Sequence, residues 1–595
     1  MRRASMAACF ALALTTFRAL PLAHAINPII QTKFTADPAP LVHDGTLYLY
    51  TSHDEDSATG FTMYNWLLYS TTDLVNWTDH GIVAGVADPY KTFKWADGKN
   101  AWAPQVIERN GKFYMYCPLP KSGHMTIGVA VANAPEGPFV DPIGKPLIDR
   151  SSTSTDIDPT VFLDSDGQAY LYWGHQPDLS YVKLNQDMIS YTGGMVEVTR
   201  PQTFEEGPWF YRRNNDYYLA FASTCCPEGI GYAMSTSATG PWTYKGSIMD
   251  PNSVSSGNHP GIVDYQGSTY LFGFNYALNA ALTSTHRERR SICVEKLAYN
   301  ADGTIPKLPF WSTTGAPQIG HLNPYVRTQA ETIAWSQGLQ TEACSEGGVD
   351  VTSIENGDFI QVKGVDFGAG AASFAARVAS STSGGTIELR LDSKTGTRVG
   401  SCAVTGTGGV QAWTTKSCDV SEVSGVHDLF LVFVGGTGSL FNFNWWQFTA
   451  RESPDAGPDS GPDGEGGSVG TGGSGSGGAI AAGAAGQTNA GGAGGASVGT
   501  AGSAADPGSD GGRTASGGAT GNASGGRNSA SGATGTPAAS GHAGTTGSGD
   551  RSSGCSCRVA PAAHGAAGLV ALLAGFTVGL GRRRRGPRRA ADPRR

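Results

Sequence analysis

Positive charge is in short supply in this chain of 595 residues: 42 Lys and Arg stand against 50 Asp and Glu, a formal net charge of −8. Eight arginines against the single Asp592 crowd the tail from Arg582 to Arg595, so the tail carries +7 and the remainder −15. Such a balance argues against a nucleic acid, whose phosphates need a basic face, and suits a neutral polysaccharide. Cysteine is thin as well. Of ten, Cys9 falls in the leader segment, and Cys117, Cys225, Cys226, Cys293 and Cys344 show no metal-ligand spacing.

Large apolar side chains are nearly missing from residues 453–553, a run of Gly, Ser, Ala and Thr with scattered Asp and Pro. Such a stretch cannot bury enough surface to offset chain entropy, and a flexible spacer is expected there. Apolar runs stand at the two ends. Met6 to Phe17 follows Arg2 and Arg3 and leads to Ala23-His24-Ala25 before Ile26, which reads as a secretory signal over residues 1–25. Ala562 to Leu580 lies between Cys555-Ser-Cys557 and Arg582 to Arg585, so residues 554–595 read as a sorting or membrane-anchor segment. Export makes a disulfide between Cys402 and Cys418 plausible.

Between these ends one pattern recurs: a Pro-containing strand start, a tight turn, and a second strand rich in tyrosine. It reads ADPAPLVHDGTLYLY around Asp37, WAPQVIERNGKFYMY from Trp102, IDPTVFLDSDGQAYLYWG around Asp158, EEGPWFYRRNNDYYLAF around Glu206 and NHPGIVDYQGSTYLF around His259. The turn residues Gly45, Gly111, Gly167, Asp216 and Gly267 are 66, 56, 49 and 51 positions apart. A period near 50 residues with hairpin turns is that of a four-stranded propeller blade. Five copies predict an all-β five-bladed β-propeller over residues 26–320, in which Asp37, Asp158, Glu206 and His259 meet at the axis. Aromatics after the turns in STTDLVNWTDHG, NAPEGPFV and TSATGPWTY recur once per blade and are expected to pack between blades. From 325 to 450, short strands such as IENGDFI, GTIELRLDS, HDLFLVFVGG and FNFNWWQF, separated by Gly-rich turns, predict a β-sandwich large enough to fold alone.

Three acids and a histidine in one pit suit glycosidic bond cleavage, which needs one group to protonate the leaving oxygen and a carboxylate to activate water or attack the sugar. A third charged group separates the two titrations. No cofactor enters that chemistry. The segments ADPAP, IDPTVFLDSDG and EEGPW resemble the three signatures of glycoside hydrolase family 43. That resemblance implies Asp37 as general base, Asp158 as the residue that tunes and orients the acid, and Glu206 as general acid, with inversion at the anomeric carbon. Glu205 competes for the last role, and the family pattern of an acid directly before Gly-Pro favours Glu206. His259 resembles the axial histidine found beside a cation such as Ca²⁺. Trp102 resembles part of a sugar platform, with blade packing as the alternative. Arg289 and Arg290, taken as the start of the last blade's inner strand, are candidates for bonds to sugar hydroxyls. The vicinal Cys225-Cys226 is expected near the channel mouth, each as a buried structural thiol.

The sandwich, from QAETIAW to FNFNWWQF, resembles carbohydrate-binding module family 6, a jelly-roll that commonly binds xylan. Asn442 matches its ligand asparagine, Trp413 its remaining aromatic, and Glu331 the acid near a structural Ca²⁺. Two stacking positions are lost, being Val410 and Ser353 here. The C-terminal segment resembles a myxobacterial-type sorting tag. NPIIQTKFTADPAP, HDED and NWTDHG look most like arabinoxylan arabinofuranohydrolases, so the expected activity is removal of α-L-arabinofuranosyl groups from arabinoxylan by a secreted or surface-anchored enzyme. A β-xylosidase or bifunctional enzyme is the alternative within that chemistry, and a non-catalytic xylan-binding propeller the alternative outside it.

Overall fold

The computed structural model describes residues 24–57, 60–151, 155–253, 258–283 and 289–451. The leader up to residue 23, the spacer at 453–553 and the segment 554–595 lie outside the described residues, and so does every reading placed on them. Among the described residues no helix is long and apolar enough to cross a membrane.

Each recurring pattern forms the two innermost strands of one antiparallel sheet. Blade I comprises Thr35–His43, Thr46–His53, Asn65–Thr71 and Trp77–Gly85, and blade II Gln105–Arg109, Lys112–Lys121 and His124–Ala132. Blade III comprises Thr160–Leu163, Ala169–Trp173, Ser180–Leu184 and Val196–Glu197, and blade IV Phe204–Arg213, Asp216–Ser223, Gly229–Ser235 and Thr243–Met249. Blade V has Gly261–Tyr265, Ser268–Asn275 and Ser291–Leu297. Asp44-Gly45, Asn110-Gly111 and Gln266-Gly267 all have positive φ at both positions, the tight hairpin turn whose twist matches the flanking strands.

Not every blade has the expected four strands. In blade V the place beside Ser291–Leu297 goes to the N-terminal segment, where Ile29 N bonds Ile292 O at 2.9 Å and Thr35 N bonds Arg290 O at 2.9 Å. The chain therefore returns to its own beginning. Thr35–His43 packs beside Gly261–Tyr265, which closes the ring of inner strands. The aromatics after the turns do bridge blades: Trp77 meets Phe272 at 6.0 Å, Phe139 meets Tyr50 at 6.1 Å and Trp242 meets Tyr172 at 6.2 Å between ring centres.

The sandwich faces a sheet built from Gln340–Ala343, Val349–Thr352, Asn442–Ala450, Ala371–Ser380 and Gly409–Asp419 against one built from Trp335–Gln337, Phe359–Asp366, Val426–Gly435, Gly385–Leu391 and Arg398–Val404. Alternating Ile, Val, Leu and Phe from both form its core. Cys402 and Cys418 are disulfide-bonded with Cα atoms 5.2 Å apart, and the bond ties one sheet to the other.

The module is not a separate bead. Near its start, Thr332–Ile333 pair antiparallel with Thr78 and Trp77 and add a fifth strand to blade I. Beside this strand the buried Asn76 donates to Lys363 O at 2.9 Å and accepts from Lys363 N at 2.9 Å, while Gln318 bonds Asp73 and Lys363 O, each at 3.1 Å. The apolar faces fix each domain, and these buried polar pairs fix how the two meet. Asn76→Ala should therefore cost about 1–3 kcal/mol, because it orphans the Lys363 amide, while the carbonyl keeps its bond from Gln318. Urea denaturation of residues 24–451 measures this; an unchanged midpoint would mean that the pairs contribute nothing.

Candidate active site

All five inner strands enter the axis through an X-Pro step: Asp37-Pro38, Ala103-Pro104, Asp158-Pro159, Gly207-Pro208 and His259-Pro260 line one cavity. In blades I and IV the step is a bulge, since pairing jumps from Ala36 to Ala39 and from Glu206 to Trp209. Asp37 (φ 52°), Asp158 (φ 55°) and Gly207 (φ 56°) share a left-handed backbone there. Asp tolerates that region better than most residues, and in blade IV only glycine fits. A Cβ at Gly207 would lie 2.6 Å from the His259 ring. By this register Glu206 stands one residue ahead of the two aspartates, not at their phase as the repeat alone suggested. The offset carries its carboxylate to the same histidine.

His259 is the hub. Its Nε2 lies 3.3 Å from Glu206 Oε1 and 3.8 Å from Asp158 Oδ2, and its Nδ1 lies 3.2 Å from Asp37 Oδ1 without hydrogen-bond geometry. Burial works against its charge, but Asp158, Asp37 and Glu206 together outweigh this and push it up to about 10, so it stands as imidazolium. Asp158, which accepts Gly207 N at 3.1 Å, is pushed up to about 7 by burial; His259 opposes this, and the charges of Glu206 and Asp37 add to it. For Glu206 burial is again the largest influence and acts upward, yet the hydrogen bond and charge of His259, with His175 and Arg290, hold it below the usual range.

Arg290 anchors Asp37. It donates to Asp37 Oδ1 at 2.9 Å and forks onto Asp54, with Nε to Oδ2 and Nη2 to Oδ1 both at 2.9 Å, while its guanidinium lies 5.1 Å from the Phe61 ring centre and 5.0 Å from that of Phe274. Ser52 Oγ also bonds Asp37 Oδ2. Arg290 does reach the pit, but as a buried partner of two carboxylates. It precedes Ser291–Leu297, which is the third strand of blade V and not the inner one. Arg289 leaves the pit altogether: its Nη1 bonds Asp56 O and its guanidinium covers Phe34 at 5.2 Å. Trp102 is half-buried, its indole bonded to Phe61 O at 3.0 Å and its carbonyl to the Trp66 indole at 2.7 Å, so blade packing accounts for it beside the pit wall.

Sequence reasoning missed Asp54 and His175. Asp54 sits in HDED, where nothing in the repeat marks it, and His175 Nε2 stands 3.5 Å from Glu206 Oε2. His175 follows the second strand of its blade, two residues past Trp173. Asp158, Glu206 and His259 each offer an atom within 4.8 Å of the others; the two carboxylates suit Ca²⁺, which takes oxygen ligands, while His259 as imidazolium has no lone pair for it. Bound there, the ion would offset the acids' charge, as protonated His259 does.

The module's candidates are arranged differently. Asn442 Nδ2 donates to Glu342 Oε1 at 2.6 Å and to Asp350 Oδ2 at 2.8 Å, and Gln411 links the same two acids. The Trp413 indole is bonded to Ser345 Oγ at 3.0 Å, and Val410 is nearly half exposed in the place of a stacking ring. Glu331 is buried at the propeller junction with Oε2 unpartnered, burial pushing its carboxyl well up, and it joins no cluster of three ligands among the described residues. Cys225 and Cys226 are exposed and disulfide-bonded to each other, which corrects the expectation of buried thiols.

Arg290→Met should cost about 3–5 kcal/mol, because it leaves Asp37 and Asp54 buried without a cation. Arg290→Lys keeps the charge and should lose less. Thermal or urea unfolding at pH 7 decides this, and wild-type stability for Arg290→Met would show that the pair is not what holds the pit.

Residues 25–305 match the family described as glycosyl hydrolases family 43, and residues 329–450 match carbohydrate binding module family 6. The chain is 37% identical over 482 residues to an arabinoxylan arabinofuranohydrolase of Bacillus subtilis (strain 168), covering 71% of this chain and 92% of that one. It is 35% identical over 478 residues to an enzyme of the same name from Paenibacillus polymyxa, covering 71% and 74%. A crystal structure of a Bacillus subtilis arabinoxylan arabinofuranohydrolase in complex with cellotetraose superposes with a TM-score of 0.64 at 36% identity, covering 71% of this chain and 97% of that chain. With the X-Pro pit and an alignment that runs through both domains, this chain belongs to glycosyl hydrolases family 43 and is a glycosidase that carries a family 6 module.

Proposed function

We propose that the protein removes α-L-arabinofuranosyl groups from arabinoxylan with inversion, using Glu206 as acid, Asp37 as base and Asp158 as the residue that tunes and orients the acid. The observation that carries the mechanism is the imidazole of His259, with Asp37 at one nitrogen and Glu206 at the other. A ring between them holds the two carboxylates apart, at a separation of at most about 9 Å, where inverting enzymes keep about 6.5–9.5 Å to admit a water. Arg290 and Ser52 fix Asp37 so that one oxygen can take a proton from that water. Glu206 delivers a proton to the glycosidic oxygen as the bond to the sugar breaks. Asp158, pushed up to about 7 by burial, keeps a proton near Glu206 below that pH. The arabinosyl reading is supported by the two relatives that align across both domains. Xylosidase/arabinosidase 43A of Humicola insolens, 32% identical over 335 residues and 47% of this chain, supports a second activity on xylosides. Incubating residues 26–450 with arabinoxylan separates the two: arabinose supports the first reading, xylose the second.

Export to the cell surface belongs to the same proposal, supported by two disulfides that need an oxidising compartment, with attachment through the C-terminal segment. Xylan retention by the module belongs to it too. Because Asn442 and Trp413 are already hydrogen-bonded within the module, its contribution to binding should be modest.

Four measurements test the chemistry. Activity should fall as pH rises through about 7, where Asp158 loses its proton, and Glu206→Gln should lose most on substrates with poor leaving groups; equal loss on acidic phenol glycosides would remove Glu206 from the role. Asp37→Asn should abolish turnover but spare sugar binding. Proton NMR of the first product anomer should show inversion, and a retained configuration would make Asp37 a nucleophile instead.

A further inference from the structure

A second depression opens beside the pit. Phe204 pairs with Ser223 and Thr224 N bonds Thr203 O at 2.9 Å, so the turn after Asp216–Ser223 lies at the end of blade IV where Glu206 stands. That turn is the exposed Cys225–Cys226 disulfide. Opposite it is Gln176, whose neighbour His175 touches Glu206 and whose own N bonds Glu205 O at 2.8 Å. With Arg200, Gln202 and Thr203 these residues line a groove of about 570 Å³, within the range of roughly 300–1,000 Å³ in which proteins hold small ligands.

Arg200 marks the groove as incomplete. It is half-buried, and it alone among the described arginines has no hydrogen bond, ion pair or aromatic contact. A guanidinium carries five donors and no acceptor, and those of Arg200 face solvent in the groove, unpaired within the protein and open to a ligand. Sugar hydroxyls are neutral acceptors of the right kind. Glu205 in the same wall disfavours an anionic occupant, and the adjacent half-cystines form a closed ring that makes the far wall stiff before any ligand arrives.

We propose, resting on the debranching reading above, that this groove receives the xylopyranosyl backbone flanking the branch cleaved in the pit, with Arg200 and Gln202 bonding its hydroxyls against the Cys225–Cys226 wall. The groove then sets preference for branches carried on a chain over isolated arabinosides. The test compares kcat/KM of the full chain on arabinoxylan and on an aryl α-L-arabinofuranoside. Arg200→Ala should lower the polymer-to-aryl ratio roughly tenfold, mainly through KM, as expected for loss of one or two charged hydrogen bonds. Gln202→Ala, exposed and free of folding risk, should act in the same direction. An unchanged ratio in both variants overturns the groove, and so does a lowered melting temperature with equal losses on both substrates. A wild-type enzyme that frees no arabinose from either substrate overturns the debranching reading itself, a result distinct from a wild type that debranches and variants that debranch equally well.

Discussion

Convergence of carboxylates is what this propeller must survive. Asp37, Asp158, Glu206 and Asp54 are all largely buried near one axis, and like charges so placed repel in a medium that screens them poorly. Two cations make the arrangement stable. Arg290 is clamped between Asp37 and Asp54, and His259 touches the other two acids as well as Asp37. The same pairs that hold the blades together also give each acid its own environment, so cohesion and acid–base differentiation have one physical source.

The repeat made the ring legible because its signal was local: an X-Pro step followed by a tight hairpin says inner strand wherever it occurs. That sufficed for five blades and for the meeting of Asp37, Asp158, Glu206 and His259. It could not place Arg290 correctly, since the arginine comes from the third strand of its blade, where no turn or proline announces a side chain aimed inward. Asp54 was invisible for the same reason. Its value to the site depends on a partner 236 positions away, a separation no period encodes. The one-residue offset of Glu206 was readable from Gly207-Pro208 but needed the His259 ring to explain it.

The sandwich shows the opposite limit. Its strands and its disulfide followed from alternation and from two cysteines, and its missing rings at Val410 and Ser353 were plain. The sequence carries no sign that Glu342, Asp350, Gln411 and Asn442 bond one another, because nothing in their spacing marks them until the fold places two carboxylates around two amides. The boundary near residue 325 was likewise too sharp. Thr332–Ile333 belongs by sequence to the module and by hydrogen bonding to blade I.

That short strand has a bearing on behaviour in solution. The outer strand of a propeller blade presents a row of open backbone donors and acceptors, a template on which a strand of another molecule can add. Trp77–Gly85 would be such an edge. By laying Thr332–Ile333 along Thr78 and Trp77, the chain occupies the start of its own template, so this end of the edge is guarded against self-association by two residues of the neighbouring domain.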